Sequence, residues 1–178
     1  MKLELVPFAP VAAIDSVICT IEAINDPAAM NISFLINGDL NQICWPDDVQ
    51  TNDALWKHTC FEYFIAAVDE AHYYEFNQAP SGAWASYRFG RYRTDMTISD
   101  NIVADKFLMS LDEKTCDVQL EVAFPHISEF LLGLAVILED TNAQLHYFSL
   151  SHPRDKPDFH AREHYALVNV DNLLPEVL

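Results

Sequence analysis

Short runs in which every second side chain is apolar, broken by turn-forming residues, recur along nearly the whole of this chain. Met30, Ile32, Phe34 and Ile36 fall on one face of an extended segment, and Phe61, Tyr63 and Ile65 on one face of another. A repeat of two is the repeat of a β-strand, because successive side chains there point to opposite faces. Runs of this kind at 16–24, 30–36, 40–45, 59–67, 72–77, 83–89, 106–111, 116–123, 134–139, 144–150 and 164–170 predict roughly ten strands. Between the second and third, Asn37-Gly38 signals a tight hairpin, since both residues of such a turn take positive φ. Gln78 to Gly82 reads as a turn-forming loop. Pro125 to Leu132, ended by Gly133, is the one segment that reads as a short helix. Hairpin-length connections leave almost no room for crossover helices. The expected fold is therefore all-β: an antiparallel β-sandwich of about ten strands, with at most one or two short helices. Immunoglobulin-like and jelly-roll-like strand orders both satisfy the pattern.

The 178 residues are expected to form a single domain, 1–178, able to bury about 70% of the unfolded surface. Ten basic residues stand against 27 acidic ones, a net charge of -17. Such a surface repels phosphate backbones and anionic headgroups, so neither nucleic acid nor a membrane is an expected partner. The opening MKLELVPFAPVAAIDS has one lysine and two interrupting prolines, and no segment reaches the ~20 apolar residues of a spanning helix. A cytoplasmic location is expected. Cys19, Cys44, Cys60 and Cys116 are widely spaced without a C-x-x-C pattern, which predicts reduced thiols acting as small hydrophobes.

Chemistry concentrates in residues 55–93, which hold two of the three tryptophans, five of the seven tyrosines and Arg88, Arg91 and Arg93. Strand alternation puts Glu75 and Asn77 on one face, and Trp84, Ser86 and Arg88 on one face of the next strand. If register brings the two sets together, they form a sugar-binding surface: C–H faces stack on indole while hydroxyls bond to amide, carboxylate and guanidinium. The other reading buries Trp84 and pairs Glu75 with Arg88 across the strands. Six of the ten basic residues lie in the windows 88–93 and 154–162, as a shared ligand rim or as local ion pairs with Asp95, Asp155 and Asp158. Three histidines, His152, His160 and His164, accompany two prolines in and beside the loop 151–160. They fit no standard zinc spacing, and no metal site is assigned. Cys60 shares a strand face with His58 and Glu62, a setting that raises a thiol pKa rather than activating it.

The blocks LWKHTCFEYFIA, EFNQAPSGAWASYRFGRYR, LAVILED, SHPRDKPDFH and HYALVNV resemble, in this order, a bacterial DOMON-like family related to the type 9 carbohydrate-binding modules. They lie between residues 55 and 170, about two-thirds of the chain. The resemblance implies a β-sandwich whose relatives bind sugars in some branches and haem in others. No position here matches a haem-ligating motif, so haem is left as an alternative and no cofactor is expected.

The expected function is non-catalytic binding of a small saccharide or other polar small molecule. The candidate surface is Trp56, Glu75, Asn77, Trp84, Arg88 and Arg93, rimmed by His152 and His160. Trp56 and Trp84 serve as stacking platforms, and Arg88 and Arg93 as donors. Two alternatives come from other classes: a small-molecule enzyme using Glu62 or Glu139 with His152, and a structural protein whose pocket has closed. No protein partner is indicated.

Overall fold

A computed structural model describes residues 1–24, 29–48, 54–99, 103–123 and 129–173. The strands are β1 (Lys2–Pro7), β2 (Ile14–Ala23), β3 (Ala29–Gly38), β4 (Cys60–Ala67), β5 (Tyr73–Gln78) and β6 (Trp84–Phe89). They continue with β7 (Thr97–Ile98), β8 (Val103–Leu111), β9 (Thr115–Ala123), β10 (Glu129–Glu139), β11 (Leu145–Ser149) and β12 (Ala166–Asn169). Every pairing among them is antiparallel.

Two sheets result. The first runs β1-β2-β3-β9-β8 and the second β7-β6-β5-β4-β10-β11, with β12 beside the first half of β10. β1 belongs to both. Its residues Lys2 to Leu5 pair with β2, and Val6 and Pro7 pair with β11. Of the two prolines near this strand, Pro7 ends it, opposite Phe148 of β11, and Pro10 lies beyond it.

The expected alternation builds the space between the sheets. Met30, Ile32, Phe34 and Ile36 face Phe61, Tyr63, Ile65 and Phe76 in one buried cluster. The Phe34 and Phe61 rings meet across the sandwich at 5.6 Å. Burying one such ring contributes roughly 1.5–3 kcal/mol. The second sheet is covered on its outer face as well. Cys60, Phe64, Ala66, Tyr87 and Phe89 form a second buried cluster there, beneath Trp56, Phe159 and Tyr165. That two-sided burial makes Cys60 to Ala66 buried at every position.

Three expectations are corrected. Gly38 closes no tight turn: it ends β3, and its φ is not positive. Glycine is needed there because a Cβ would lie 2.2 Å from the Ala13 carbonyl oxygen. The expected partner strand at 40–45 is instead a 3-10 turn, Leu40–Gln42, followed by a single bridge from Ile43 to Asp140. The expected helix at 125–132 fails where it can be followed. Glu129 to Leu132 is strand, paired with β12 on one side and, from Phe130, with β4 on the other. Residues 125–128 lie outside the described residues.

Candidate functional site

On the outer face of the second sheet lies a cavity of about 650 Å³, within the range of small-molecule pockets. Its floor comes from alternate positions on five adjacent strands: Glu62 on β4, Glu75 on β5, Tyr87 and Phe89 on β6, Ile137 on β10, and Leu145 and Tyr147 on β11. Trp56 and Lys57 wall one side, on a 3-10 turn entered through Ala54 in the left-handed region at φ 59°. Arg93 and Met96 follow β6, and Pro157, Phe159 and His160 come from the loop before β12.

Strand register decides which expected residues meet. Glu75 stands opposite Tyr87 and Asn77 opposite Ala85, whereas Trp84 opposes Gln78 and Arg88 opposes Tyr74. Directly opposed residues share a face, so Glu75 and Asn77 point outward and Trp84 and Arg88 point the other way. This corrects the expected surface. Trp84 stacks on Phe76 at 5.6 Å with 16° between the ring planes, and packs against the sandwich core. His152 does not line the cavity either, because its Nε2 donates to the Val6 carbonyl at 2.9 Å. Trp56, Glu75, Arg93 and His160 do line it. Asn77 is fully buried behind the floor and donates to Glu75 Oε1 at 2.7 Å.

The loop walling the cavity is held by its own polar side chains. Tyr165 Oη donates to the Phe159 carbonyl at 3.0 Å. Arg162 Nη2 donates to the Ala67 carbonyl at 2.7 Å, and Nη1 to the carbonyl of Glu70. His164 Nδ1 is hydrogen-bonded to Ser151 Oγ at 2.5 Å. Each of the loop's three histidines thus has a protein partner, and no three possible metal ligands converge among the described residues. Beneath the loop, Gly133 leaves room for the Tyr165 ring: a Cβ there would lie 2.5 Å from Cε1.

Polar order continues along one chain of groups. The Arg93 backbone N–H donates to Tyr73 Oη at 3.2 Å, and Tyr73 Oη meets His160 Nδ1 at 2.6 Å. Since the phenol already accepts from Arg93, it donates its one proton to Nδ1. That leaves the imidazole proton on Nε2, 3.6 Å from Glu75 Oε2. Burial, with help from the Arg93 cation, pulls the His160 pKa down to about 4. The ring is therefore neutral at pH 7. With Nδ1 engaged by Tyr73 and Nε2 turned to Glu75, His160 does not suit an axial haem ligand.

Both floor carboxyls resist ionisation. Burial pushes Glu75 up to about 7, against the opposing pull of Asn77 and Arg93. Burial, and then the Glu75 carboxylate, push Glu62 well above its usual range, with Arg93 opposing. Glu62 Oε1 is buried without a hydrogen-bond partner. Arg93 spends Nε and Nη2 on Asp158 Oδ1, at 3.3 and 2.9 Å. Although burial works against it, Asp158 is held below its usual range by Tyr92 and Arg93. Burial, followed by Glu62 and Glu75, raises the Cys60 thiol well above its ordinary value, which keeps it inert. Glu139 pairs with His58 at 2.6 Å, so neither it nor Glu62 is joined to His152 as an acid–base pair. Tyr87, Phe89, Tyr147 and Phe159 were not anticipated in the site. The signal for the strand residues Tyr87, Phe89 and Tyr147 was the position of Glu62, a carboxylate mid-strand in an otherwise apolar run; Phe159, outside any strand, offered none.

Fold and site together define a β-sandwich carrying an aromatic-walled, carboxyl-floored cavity on the outside of one sheet. No protein-family model matches this sequence, and no curated protein sequence does. Among solved structures, a "putative carbohydrate-binding protein" from Bacteroides uniformis superposes with a TM-score of 0.66 at 14% identity, over 95% of this chain and 85% of that one. A family 9 carbohydrate-binding module from Caldicellulosiruptor kristjanssonii, in complex with glucose, superposes with a TM-score of 0.52 at 12% identity, over 90% and 78%. At such identities the likeness establishes a shared fold.

Proposed function

We propose that this chain is a non-catalytic binding module that takes a small saccharide in the cavity over its second sheet. One observation carries the reading: apolar ring faces and buried carboxyl groups line the same cavity. A sugar ring offers matching chemistry, with C–H faces for the aromatic walls and hydroxyls for the floor. Trp56, set edge-on to Tyr87 at 6.1 Å, is the stacking platform. Glu75 and Glu62 bond to hydroxyls from below, while Arg93, fixed by Asp158, borders the entrance. The two solved structures that share the fold are described as carbohydrate-binding, which supports the same reading. Kinship with the DOMON-like family rests on the sequence blocks alone. The reading includes a cytoplasmic location without nucleic-acid or membrane partners, in keeping with the net charge of -17.

The test is calorimetric titration with simple mono- and disaccharides, followed by Trp56→Ala. The stack predicts at least one saccharide bound at millimolar concentration or below, and a loss of about tenfold in the variant, the scale of an aromatic contact. Failure of every saccharide to bind at millimolar concentration overturns the reading.

A further inference from the structure

The floor of the cavity holds two buried carboxyl groups that resist ionisation while they face no cation, and a bound cation would draw them into their charged form. Glu62 and Glu75 sit on neighbouring strands, diagonal to one another, because Glu62 stands opposite Asn77 and Glu75 opposite Phe64. Glu62 is 2% exposed and Glu75 6% exposed, yet both line the cavity. A buried carboxyl oxygen without a donor is costly, and Glu62 Oε1 is such an oxygen. Among the described residues, no protein cation answers the pair directly. Arg93 is committed to Asp158, and Lys57 stands exposed in the wall. The imidazole that lines the cavity, His160, keeps its Nδ1 on Tyr73. Around this acid floor stand Trp56, Tyr87, Tyr147 and Phe159, rings whose electron-rich faces attract cations.

We infer that the cavity selects a ligand bearing a protonated primary amine, an amino sugar, whose ammonium group docks against Glu62 and Glu75 while its ring lies against Trp56. This deepens the saccharide reading and rests on it. An ammonium has three donors and no acceptor. It can satisfy Glu62 Oε1 and still leave Oε1 of Glu75 to Asn77. It is also small enough for a floor so little exposed, whereas an acetamido group has neither the charge nor the size. A neutral hydroxyl supplies a donor but, unlike an ammonium, does nothing to stabilise the charged form of the paired carboxyls.

Calorimetry of the intact chain at a pH near 6.5, with glucosamine, N-acetylglucosamine and glucose, tests this. The expected result is glucosamine bound about tenfold tighter than the other two, equivalent to about 1.4 kcal/mol. Glu62→Gln should remove that preference, bringing glucosamine down to the affinity the same variant shows for glucose, and Glu75→Gln should at least weaken it. Glucose bound as tightly as glucosamine overturns the inference and leaves the saccharide reading standing. An amine preference that survives both variants also overturns it. Binding of ethanolamine when no sugar or amino sugar binds overturns the amino-sugar inference, leaving a site for a simple amine. Binding of none of these probes overturns the inference, and the saccharide reading falls with it only if the wider panel of mono- and disaccharides fails as well.

Discussion

Replacing Glu75 with glutamine isolates what it costs to bury this carboxyl. In the folded chain its pKa is raised from an ordinary 4.5 to about 7. The native state therefore holds this proton more tightly than the unfolded state. Below pH 4.5 both states are protonated and the group's contribution is fully present. It is lost as pH rises through 7, where the native carboxyl must ionise in its buried place. The difference between the two values corresponds to about 3 kcal/mol. His160 runs the other way: its folded pKa falls from 6.5 to about 4, so its contribution is present above 6.5 and lost as pH falls through 4. That contribution is common to both proteins and drops out of their difference. The amide introduced by Glu75→Gln keeps an acceptor for Asn77 and does not titrate. Urea unfolding of both chains at about pH 4 and about pH 8 should show near-equal stability at the first and Glu75→Gln ahead by about 3 kcal/mol at the second. A variant destabilised equally at both values would refute the argument, because Glu75 would then be an ionised group held by its partners.

Gly133→Ala should push the Tyr165 ring off β10, since the added methyl would meet ring atoms at 2.5–2.8 Å. We expect about 1–3 kcal/mol lost in thermal unfolding. Saccharide affinity should fall as well, because Tyr165 anchors Phe159 in the cavity wall. Trp84→Ala should cost about 3 kcal/mol through lost packing on Phe76 and leave saccharide affinity unchanged. Trp56→Ala should do the reverse, and paired unfolding and titration curves distinguish the two.

Much of this architecture could be read from side-chain spacing, for a physical reason. Where one face of a strand is buried and the other is not, alternation is visible, as in β3 and β9. The first part of β10 defeated that logic: Phe130, Leu131 and Leu132 follow one another without a polar gap and imitate the end of a helix stopped by glycine, whereas 134–139 read correctly as strand. Gly133 has a different purpose, making space for Tyr165. Gly38 likewise serves a close backbone approach rather than a turn. The placement of Trp84 was within reach of sequence alone. Any five-residue loop there pairs odd positions with odd, which turns Trp84 away from the face of Glu75; in the observed register the loop is closed by Gln78 and Trp84, and Glu75 stands against Tyr87. From the loop before β12 the sequence pointed to His160 but not to Pro157 or Phe159, because an irregular segment has no periodicity from which its packing can be inferred. Its prolines signalled only that it is ordered.

The three indole N–H groups report on three separate places. Trp45 Nε1 donates to the Leu40 carbonyl at 3.3 Å, Trp84 packs against the sandwich core, and Trp56 walls the cavity. In a nitrogen-15 labelled sample, titration with a bound saccharide should shift the Trp56 indole signal and leave those of Trp45 and Trp84 in place. Movement of the Trp84 signal with Trp56 unmoved would contradict the cavity on the outer face as the binding site.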